Sequence, residues 1–529
     1  MEILKPREPA KPVAPEKTDI ADSYGEIVIH ERYPCFYYQV KKASLTEDEL
    51  KFADLLRKVI MRTLTVGEIL SAYQKTISKK FLQEFSDQII KTIELNEAIQ
   101  RIPDIETLST LKMNLIALIK EYLPFIPHEK SFVDEVLDFT IGYGLLAPLM
   151  RDDWLEEIMI NGYSKPVFVF HKRFGMCETN LEIKQDGEVN KLILRIAKTV
   201  NKEINDNSPL LDARLPDGSR ANATSSYATP FGPSLTIRKF SRIPLSVIDL
   251  IANNTMTSEV GGFLWTMVEG LSIEPMNILV TGGSGTGKTT TLNALISFVS
   301  FSDRVITIED TPELHLGDRK NWIQMEAKPS ITNTVEITMD DLLKNALRMR
   351  PDRLVIGEVR GKEAMTLFTA MDTGHKGIMG TLHSNSGREM VTRLKSHPMS
   401  VPEVMIPLLD LLVVQYRMYS KDKGIIRRIA QISEISRMED TILLGEIYTW
   451  NREKDLLERT DIPAHVTEVL ADATNRTKKD VIKEIKIRQK ILEWMMASNI
   501  RTNSEVEKII QEYYYNPTSV LEKVSVDIQ

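Results

Sequence analysis

From Asp48 to Pro148 hydrophobic residues recur every three or four positions, and this spacing predicts amphipathic helices. One predicted helix face carries Phe52, Leu55, Leu56, Val59 and Ile60, and another carries Leu108, Leu111, Leu115, Leu118 and Tyr122. No combination of reactive side chains accompanies this pattern. We therefore predict a helical N-terminal module over residues 23–135 that positions or binds a partner. Prolines spaced three residues apart at the start of the chain predict a disordered, extended tail over residues 1–22.

A mixed pattern of strands and helices begins near Trp154. The stretches PVFVFH and SLTIRKF are typical of strands, and VNKLILRIAKTVNKEI has helical spacing. Between them, LLDARLPDGSRANAT predicts two short strands around a Pro-Asp-Gly turn. We predict a smaller α+β domain over residues 136–243, followed by a linker over residues 244–255.

From about Met256 strands and helices alternate, which predicts an α/β domain with a parallel-rich sheet and crossover helices. The predicted strands include NILVT, RVITIED, RLVIGEV and KGIMGTLH. We place this core at residues 256–475 and further helices at residues 476–529. The first of these helices is basic and amphipathic. Its apolar stripe of Val481, Ile485, Leu492 and Met496 favours packing on its own domain over binding at a membrane surface.

Composition narrows the classes of protein that fit this pattern. The chain has 529 residues and a net charge of −7, which argues against a basic nucleic-acid coat protein. No apolar run approaches the roughly 20 residues that span a bilayer, and the N-terminus lacks the apolar region of a secretory signal. The only cysteines, Cys35 and Cys177, exclude a structural zinc site made of cysteines.

The stretch GGSGTGKT matches the phosphate-binding loop pattern, with a predicted strand before it and a helix after it. We expect its backbone N–H groups and the N-terminus of the helix to bind the phosphates of ATP. Lys288 is predicted to reach the β- and γ-phosphates, and the Thr289 hydroxyl to ligate Mg²⁺. Adenine is favoured over guanine, because no Asn-Lys-x-Asp guanine reader is visible. The predicted nucleotide-binding residues are Gly282, Gly283, Ser284, Gly285, Thr286, Gly287, Lys288, Thr289 and Thr290.

Acidic residues at the carboxyl ends of neighbouring strands are the candidates for metal binding and for preparing the attacking water. Glu358 ends RLVIGEV, and we predict that it binds Mg²⁺ through a bound water and orients the attacking water. A surface acid paired with Arg360 is the alternative. Glu309 ends RVITIED and is predicted to be the base or water-orienting residue, with Asp310 or Glu313 as alternatives. Asp352 starts its strand, so we predict that it lies at the opposite edge with a structural role.

Two histidines in TGHKGIMGTLHSNS are further candidates. His383 follows a strand at the predicted phosphate edge, where a neutral imidazole could sense the γ-phosphate or bond to Glu358. A structural role for this histidine is the alternative. His375, in the preceding helix-to-strand turn, is a weaker candidate.

A separate prediction concerns arginines that lie outside the α/β core. If the loop between the two short strands is Pro216 to Gly218, Arg214 and Arg220 face each other, and opposed like charges destabilise a hairpin. A polyphosphate between them would reverse that penalty, so we predict that they are arginine fingers reaching the nucleotide from the smaller domain. Solvated arginines or pairs with nearby aspartates are the alternative. Arg238, in LTIRKF, is a third candidate and is predicted to bind the nucleotide.

These motifs resemble, in order, those of the secretion ATPase superfamily of type II and type IV secretion, type IV pili and the archaellum. GGSGTGKTTTLNAL is similar to its Walker A block, ITIEDTPEL to its acidic box and TGHKGIMGTLHSNS to its histidine box. LLKNALRMRPDRLVIGEVRGKEA is similar to its atypical Walker B block. The resemblance covers roughly residues 135–450. The chain departs from many bacterial members in lacking a four-cysteine zinc module, and IEDTPEL with zinc-free C-terminal helices is most similar to archaeal members.

The resemblance implies a RecA-like core in a homo-hexameric ring, in which Mg-dependent ATP hydrolysis moves the smaller domain against the core. The ring would act on a polytopic membrane platform protein and other motor components, at the cytoplasmic face of the cell membrane. An archaellum motor ATPase is favoured, with an archaeal type II-like secretion or pilus assembly ATPase as the alternative. A RecA-like nucleic-acid translocase and a small-molecule phosphotransferase are the competing classes, and nucleic acid is the less expected partner.

Overall fold

The computed structural model describes residues 19–41, 45–60, 80, 83–84, 87, 101–123, 126–183, 186–240, 244–317, 319–328, 336–420, 424–439 and 441–524. The chain divides into two compact units, Met1–Ser241 and Arg242–Gln529. This division lies within two residues of the predicted end of the smaller domain. The predicted disordered tail over residues 1–22 lies outside the described residues up to position 18, and it is wrong at its end, because a strand begins at Ile20.

The first unit is built on a nine-stranded sheet. Its strands are β1 Ile20–Tyr24, β2 Ile27–His30, β3 Phe36–Val40, β4 Leu155–Asn161, β5 Pro166–His171, β6 Gly175–Glu182, β7 Leu210–Arg214, β8 Arg220–Thr224 and β9 Ser234–Arg238. Their order is β1-β2-β3-β6-β5-β4-β9-β8-β7. The helices are α1 Glu47–Ile60, α2 Ile105–Tyr122, α3 Glu129–Thr140, α4 Ala147–Arg151 and α5 Asp186–Thr199.

The prediction of a wholly helical module over residues 23–135 is wrong at its start, because β1, β2 and β3 are strands. β3 pairs in parallel with β6, and Tyr24 and Tyr38 donate hydrogen bonds to Asp152 at 2.8 and 2.5 Å. The first strands are therefore tied to the sheet of the smaller domain. The helical part of the prediction agrees with α1 to α3, where the described side chains Leu56 and Leu115 are fully buried.

The second unit is built on another nine-stranded sheet, ordered β12-β11-β13-β14-β10-β15-β16-β17-β18. The strands are β10 Ile278–Gly282, β11 Val305–Glu309, β12 Trp322–Glu326, β13 Arg353–Val359, β14 Met379–Leu382, β15 Leu411–Ser420, β16 Gly424–Met438, β17 Thr441–Asn451 and β18 Leu456–Arg459. From β12 to β15 all neighbours are parallel, and β15 to β18 are antiparallel. The predicted parallel-rich α/β core is confirmed.

Helices cover this sheet. They are α6 Val247–Ala252, α7 Ser258–Glu269, α8 Lys288–Ile296, α9 Met339–Ala346, α10 Glu363–Asp372, α11 Gly387–Lys395, α12 Val466–Ala473, α13 Lys478–Ala497, α14 Asn503–Tyr515 and α15 Pro517–Val524. Within the described ranges, no helix combines the length and the apolarity needed to cross a membrane.

The predicted linker over residues 244–255 belongs instead to the second unit. It contains α6, whose Val247 and Ile248 are fully buried in the core of that unit. Ser246 and Asp249 cap the helix reciprocally, which satisfies N–H groups at its first turn. This stretch has the sequence pattern of a connection between domains. The burial of its hydrophobic residues nevertheless makes it part of the core of the second unit.

The C-terminal helices pack on the same domain, as the apolar stripe predicted. Val481 and Leu492 of α13 are fully buried, and Gly262 of α7 lets the two helices approach closely. Arg488, also on α13, is buried and bonds to Glu269 at 2.8 Å, so its charge is paired inside the core. The helix is part of the second unit rather than a separate module.

Candidate functional site

The loop between β10 and α8 has the conformation that a phosphate cradle requires. Gly285 and Gly287 have φ angles of 68° and 93°, in the left-handed region that favours glycine. A Cβ atom on Gly282 would lie 2.6 Å from Thr286 Oγ1, so this position also accepts only glycine. The glycines let successive backbone N–H groups turn toward one anion.

Lys288 starts α8, and its side chain folds back over the loop. Its Nζ donates to Gly283 O at 3.0 Å, and the residue is only 8% exposed. Thr289 and Thr290 lie half-buried in the first turn of the same helix, where the helix dipole favours an anion. The loop, the lysine and the helix terminus together fit the phosphates of a nucleotide.

The strands on one side of β10, in the order β14, β13 and β11, bring the candidate histidine and acids to the same edge of the sheet. Thr281 of β10 pairs with Leu382 of β14, and Val359 of β13 pairs with Leu382 from the other side. Thr281 Oγ1 lies 2.6 Å from Ser384 Oγ, which ties the loop that follows β14 to the phosphate strand. This register places the ends of β13 and β14 at the same edge of the sheet as the phosphate loop.

Glu358 lies in the most strongly cationic surroundings among the candidate acids. It is partly buried and bonds to Arg360 Nη2 at 2.5 Å. Burial raises the pKa of Glu358, but the hydrogen bond and charge of Arg360, together with nearby Lys288 and His383, more than offset it. The pKa therefore lies below its usual value. The carboxylate is ionised at neutral pH, as a Mg²⁺ ligand or a proton acceptor needs to be.

Glu309 is in a different environment. It is 2% exposed, and its Oε1 accepts hydrogen bonds from the backbone N–H groups of Glu313 and Leu314 at 2.8 and 2.9 Å. Burial raises the pKa of Glu309 to about 7, although these hydrogen bonds and that of Gln324 oppose the shift. In this state Glu309 therefore fixes the backbone of the loop that follows it, at Glu313 and Leu314. It can also exchange a proton near neutral pH.

The two alternatives to Glu309 are both exposed. Asp310 pairs with Arg360 at 3.5 Å. Because Arg360 also pairs with Glu358, it bridges the two acids at the ends of β11 and β13. Glu313 lies in the loop after β11, and its backbone N–H donates a hydrogen bond to Glu309. Both side chains are accessible to solvent, which Glu309 is not.

Asp352 and His375 lie at the opposite edge of the sheet. Asp352 Oδ2 accepts from Arg304 N at 2.7 Å, so it joins the start of β13 to the start of β11, and its predicted structural role is confirmed. His375 precedes β14, and its N–H donates to Ala370 O at 3.0 Å in the turn after α10. Neither residue faces the phosphate edge.

His383 directly follows β14 and is half-buried. Its carbonyl oxygen accepts a hydrogen bond from Arg393, which fixes the backbone at this point. Asn385, two residues later, also reaches the phosphate loop, because a Cβ atom on Gly283 would lie 3.1 Å from its Oδ1. The loop after β14 therefore supplies His383, as predicted, and Asn385, which the sequence did not indicate.

The candidate arginines of the first unit form a row across three strands. Arg214 pairs directly with Arg220, and Arg220 pairs with Arg238 on the next strand. All three are exposed, and the loop between β7 and β8 closes with the N–H of Leu215 bonded to Ser219 O at 2.7 Å. The three-residue loop on which the predicted facing of Arg214 and Arg220 depended is confirmed.

Arg220 already has a partner in this state. Its Nε and Nη2 donate to the carboxylate of Asp212 at 2.9 and 2.5 Å, and the side chains of both are about half exposed at 49%. An exposed pair of this kind contributes little to stability. It can therefore exchange for a phosphate at small cost.

Two further arginines contact the phosphate loop from within the second unit. Arg427 Nε donates to Gly285 O at 3.0 Å. A Cβ atom on Gly285 would lie 2.6 Å from Arg417 Nη1. Sequence reasoning missed both residues. The signal that could have found them is the sequence pattern on either side of residues 421–423, which is typical of two strands of a hairpin.

The residues present fit a Mg²⁺ ion that is shared with a nucleotide. The hydroxyl of Thr289 and the carboxylate of Glu358 are oxygen donors, and the neighbouring acids can hold bound water. Mg²⁺ prefers oxygen ligands and keeps several waters, so one or two protein ligands and the phosphates suffice. The ion would neutralise charge on the β- and γ-phosphates, while Lys288 adds a fixed positive charge.

A protein-family model described as type II/IV secretion system protein matches residues 142–453, which is more than half of the chain. The uncharacterized protein MJ0900 of Methanocaldococcus jannaschii is 30% identical over 476 residues, covering 88% of this chain and 83% of that protein. The uncharacterized protein MJ0781 of the same organism is 51% identical over 255 residues. That match covers 47% of this chain and only 35% of the length of MJ0781.

Among solved structures, the VirB11 ATPase from the Brucella suis type IV secretion system, crystallised with sulphate, is similar. It is 26% identical, with a TM-score of 0.28, over 55% of this chain and 92% of that one.

Proposed function

Because the chain belongs to the type II/IV secretion system protein family, we propose that it is an ATPase that couples Mg-dependent ATP hydrolysis to movement of its two domains. The observation that carries this proposal is the phosphate loop with Lys288, near an ionised Glu358 at the end of β13, two strands from β10 in the sheet. Hydrolysis needs a bound polyphosphate, a metal and an oriented water, and these residues can provide the sites for all three.

The machine that this ATPase serves is part of the proposal. We propose a homo-hexameric ring that acts on a polytopic membrane platform protein at the cytoplasmic face of the membrane, and assembles, or also rotates, an archaellum or a type IV pilus-like filament. An archaeal type II-like secretion or pilus assembly ATPase is the alternative. The family match supports a secretion-system or pilus type of motor.

Single-stranded DNA distinguishes this function from that of a nucleic-acid translocase. With net charge −7, we expect no tight binding in a filter assay and no increase in ATP hydrolysis when the DNA is added. Tight, salt-sensitive binding that stimulates hydrolysis would contradict a secretion or filament motor and favour a translocase.

The arginine row is proposed to supply the charge that stabilises the transition state. Arg214→Ala and Arg220→Ala should lower ATP turnover by about 10³- to 10⁵-fold with little loss of ATP affinity, because a finger acts on the charge that develops during the reaction. Turnover and nucleotide affinity are measured separately for each variant.

Arg173→Ala is the matched control for this pair. Arg173 lies in the same unit, is also 49% exposed and pairs with Asp22 at 3.4 Å. This variant should keep normal turnover. Equal turnover in all three variants and the wild type would remove Arg214 and Arg220 from the mechanism.

A further inference from the structure

The helix α13 carries a narrow line of positive charge on its exposed side. Four exposed lysines recur there at spacings of four, three and four positions, and we call them the lysine stripe: Lys479, Lys483, Lys486 and Lys490. Because an α-helix turns once in about 3.6 residues, these positions share one side of the helix over a length of roughly 16 Å. The other side of α13 is the apolar one, which is buried against the core of the second unit.

The acidic side chains of α13 are engaged elsewhere. Asp480 caps the first turn of the helix. Glu484 pairs with the buried Arg488 at 3.0 Å. Glu493 accepts a hydrogen bond from Ser258 at 2.7 Å. In the described part of the chain, no member of the lysine stripe forms an ion pair, so its charge is not neutralised within the second unit.

This arrangement has a cost that an external anion would remove. Like charges three and four positions apart on a helix destabilise it, and the lysine stripe repeats that contact along its whole length. The chain as a whole has a net charge of −7, so the attraction for an anion is local to this surface and acts over about one Debye length.

The chemistry of the stripe favours lipid headgroups over another macromolecule. Lysine is a compact point charge without the bidentate geometry of arginine, and it is depleted at the cores of protein interfaces. No aromatic residue lies between Lys479 and Lys490, whereas sites for single-stranded nucleic acid interleave aromatic side chains with basic ones. The exposed apolar residue beside the lysines is Ile482, which is 40% exposed. A line of lysines with one aliphatic neighbour fits the boundary of an anionic membrane.

We infer that the lysine stripe docks α13 on a membrane surface that carries anionic phosphate headgroups. The apolar side of the helix stays buried in its own unit, so the contact is electrostatic and no helix inserts into the bilayer. Each lysine near such a surface strengthens binding by about fivefold, and four together by several hundredfold. This contact is additional to the proposed membrane platform protein and does not depend on ATP hydrolysis.

The test is sedimentation of the purified full chain with vesicles, without nucleotide. The wild type should bind vesicles of phosphatidylcholine mixed with anionic phosphatidylglycerol, more weakly as salt is raised, and should not bind phosphatidylcholine alone. Replacing all four lysines of the stripe by glutamine should weaken this binding by several hundredfold. Equal binding of the wild type to both kinds of vesicle, or unchanged binding of the variant, would overturn the inference.

A variant with the same net charge separates the stripe from the overall charge. It replaces four exposed lysines that lie apart from one another in the sequence: Lys41→Gln, Lys165→Gln, Lys320→Gln and Lys508→Gln. This variant should bind the anionic vesicles like the wild type, and an equal loss in both variants would contradict the inference. Replacing the stripe lysines by arginine keeps the charge and should keep the binding, so a loss there would also contradict it.

Two further measurements exclude a structural role and a different partner. The glutamine variant of the stripe should melt no lower than the wild type, because it removes repulsion along the helix. Lys486→Gln alone, with about fivefold weaker vesicle binding, gives the same test if the fourfold variant fails to fold. Binding of the wild type to polyglutamate or to single-stranded DNA through the stripe, with none to vesicles, would overturn the inference. Failure of vesicle binding would leave the proposed ATPase function intact, since that is measured by phosphate release.

Discussion

The Lys288→Ala variant should lose ATP turnover by at least about 10²-fold, the effect of removing a preorganised positive charge from a developing anion. Lys288 is buried over the loop and bonds to Gly283 O, so its position is already set before nucleotide arrives. Removing its side chain leaves the phosphates without their fixed cation. Phosphate release at saturating Mg-ATP measures the effect.

Lys395→Ala is the control for this variant. Lys395 lies at the end of α11 and pairs with Glu403 at 2.6 Å on the surface. Its removal should leave turnover unchanged. Normal turnover in Lys288→Ala would mean that hydrolysis does not take place at this loop.

The Glu358→Gln variant should bind ATP with near-normal affinity and lose about 10²- to 10⁴-fold in turnover, the usual contribution of a positioned proton acceptor or donor. Glutamine keeps the shape of the side chain and removes its charge, so folding and phosphate binding should survive. Binding by calorimetry and turnover by phosphate release separate these two effects. Glu458→Gln, which breaks a surface pair with Lys454 on the edge strand β18, should have neither effect.

The pH dependence of kcat/KM shows whether Glu309 or Glu358 is the base, because kcat/KM reports the pKa values of groups in the free enzyme. A base acts in its ionised form. If Glu309 is the base, its pKa of about 7 makes the rate low below neutral pH and high above it, and Glu309→Gln removes that step. If Glu358 is the base, its lowered pKa leaves the profile flat through the neutral range. Normal turnover in Glu358→Gln would exclude the second case.

Local patterns predicted the features that depend on neighbouring residues. The glycine loop, the strand ends at Glu309 and Glu358 and the structural position of Asp352 all follow from short stretches of sequence, because a strand direction assigns each residue to one edge of a parallel sheet. The turn between Arg214 and Arg220 was predictable for the same reason, since Pro-Asp-Gly sets the loop length.

Features that depend on distant contacts were not predicted. The strand β3 pairs with β6, more than 130 positions away, so nothing near Phe36 indicates a strand of that sheet. The burial of Val247 appears only when α6 packs on the core. The hydrogen bonds that occupy Glu309 come from the loop beyond it, and the contacts of Arg417 and Arg427 with the phosphate loop join residues more than 130 positions apart.

The central claim is that this chain hydrolyses ATP at the loop of residues 282–289. The most direct measurement is phosphate release from Mg-ATP by the purified full chain, with no other substrate present. We predict turnover that requires Mg²⁺ and is lost in Lys288→Ala. Release that occurs only when a small-molecule acceptor is added, or that continues without Lys288, would contradict the claim.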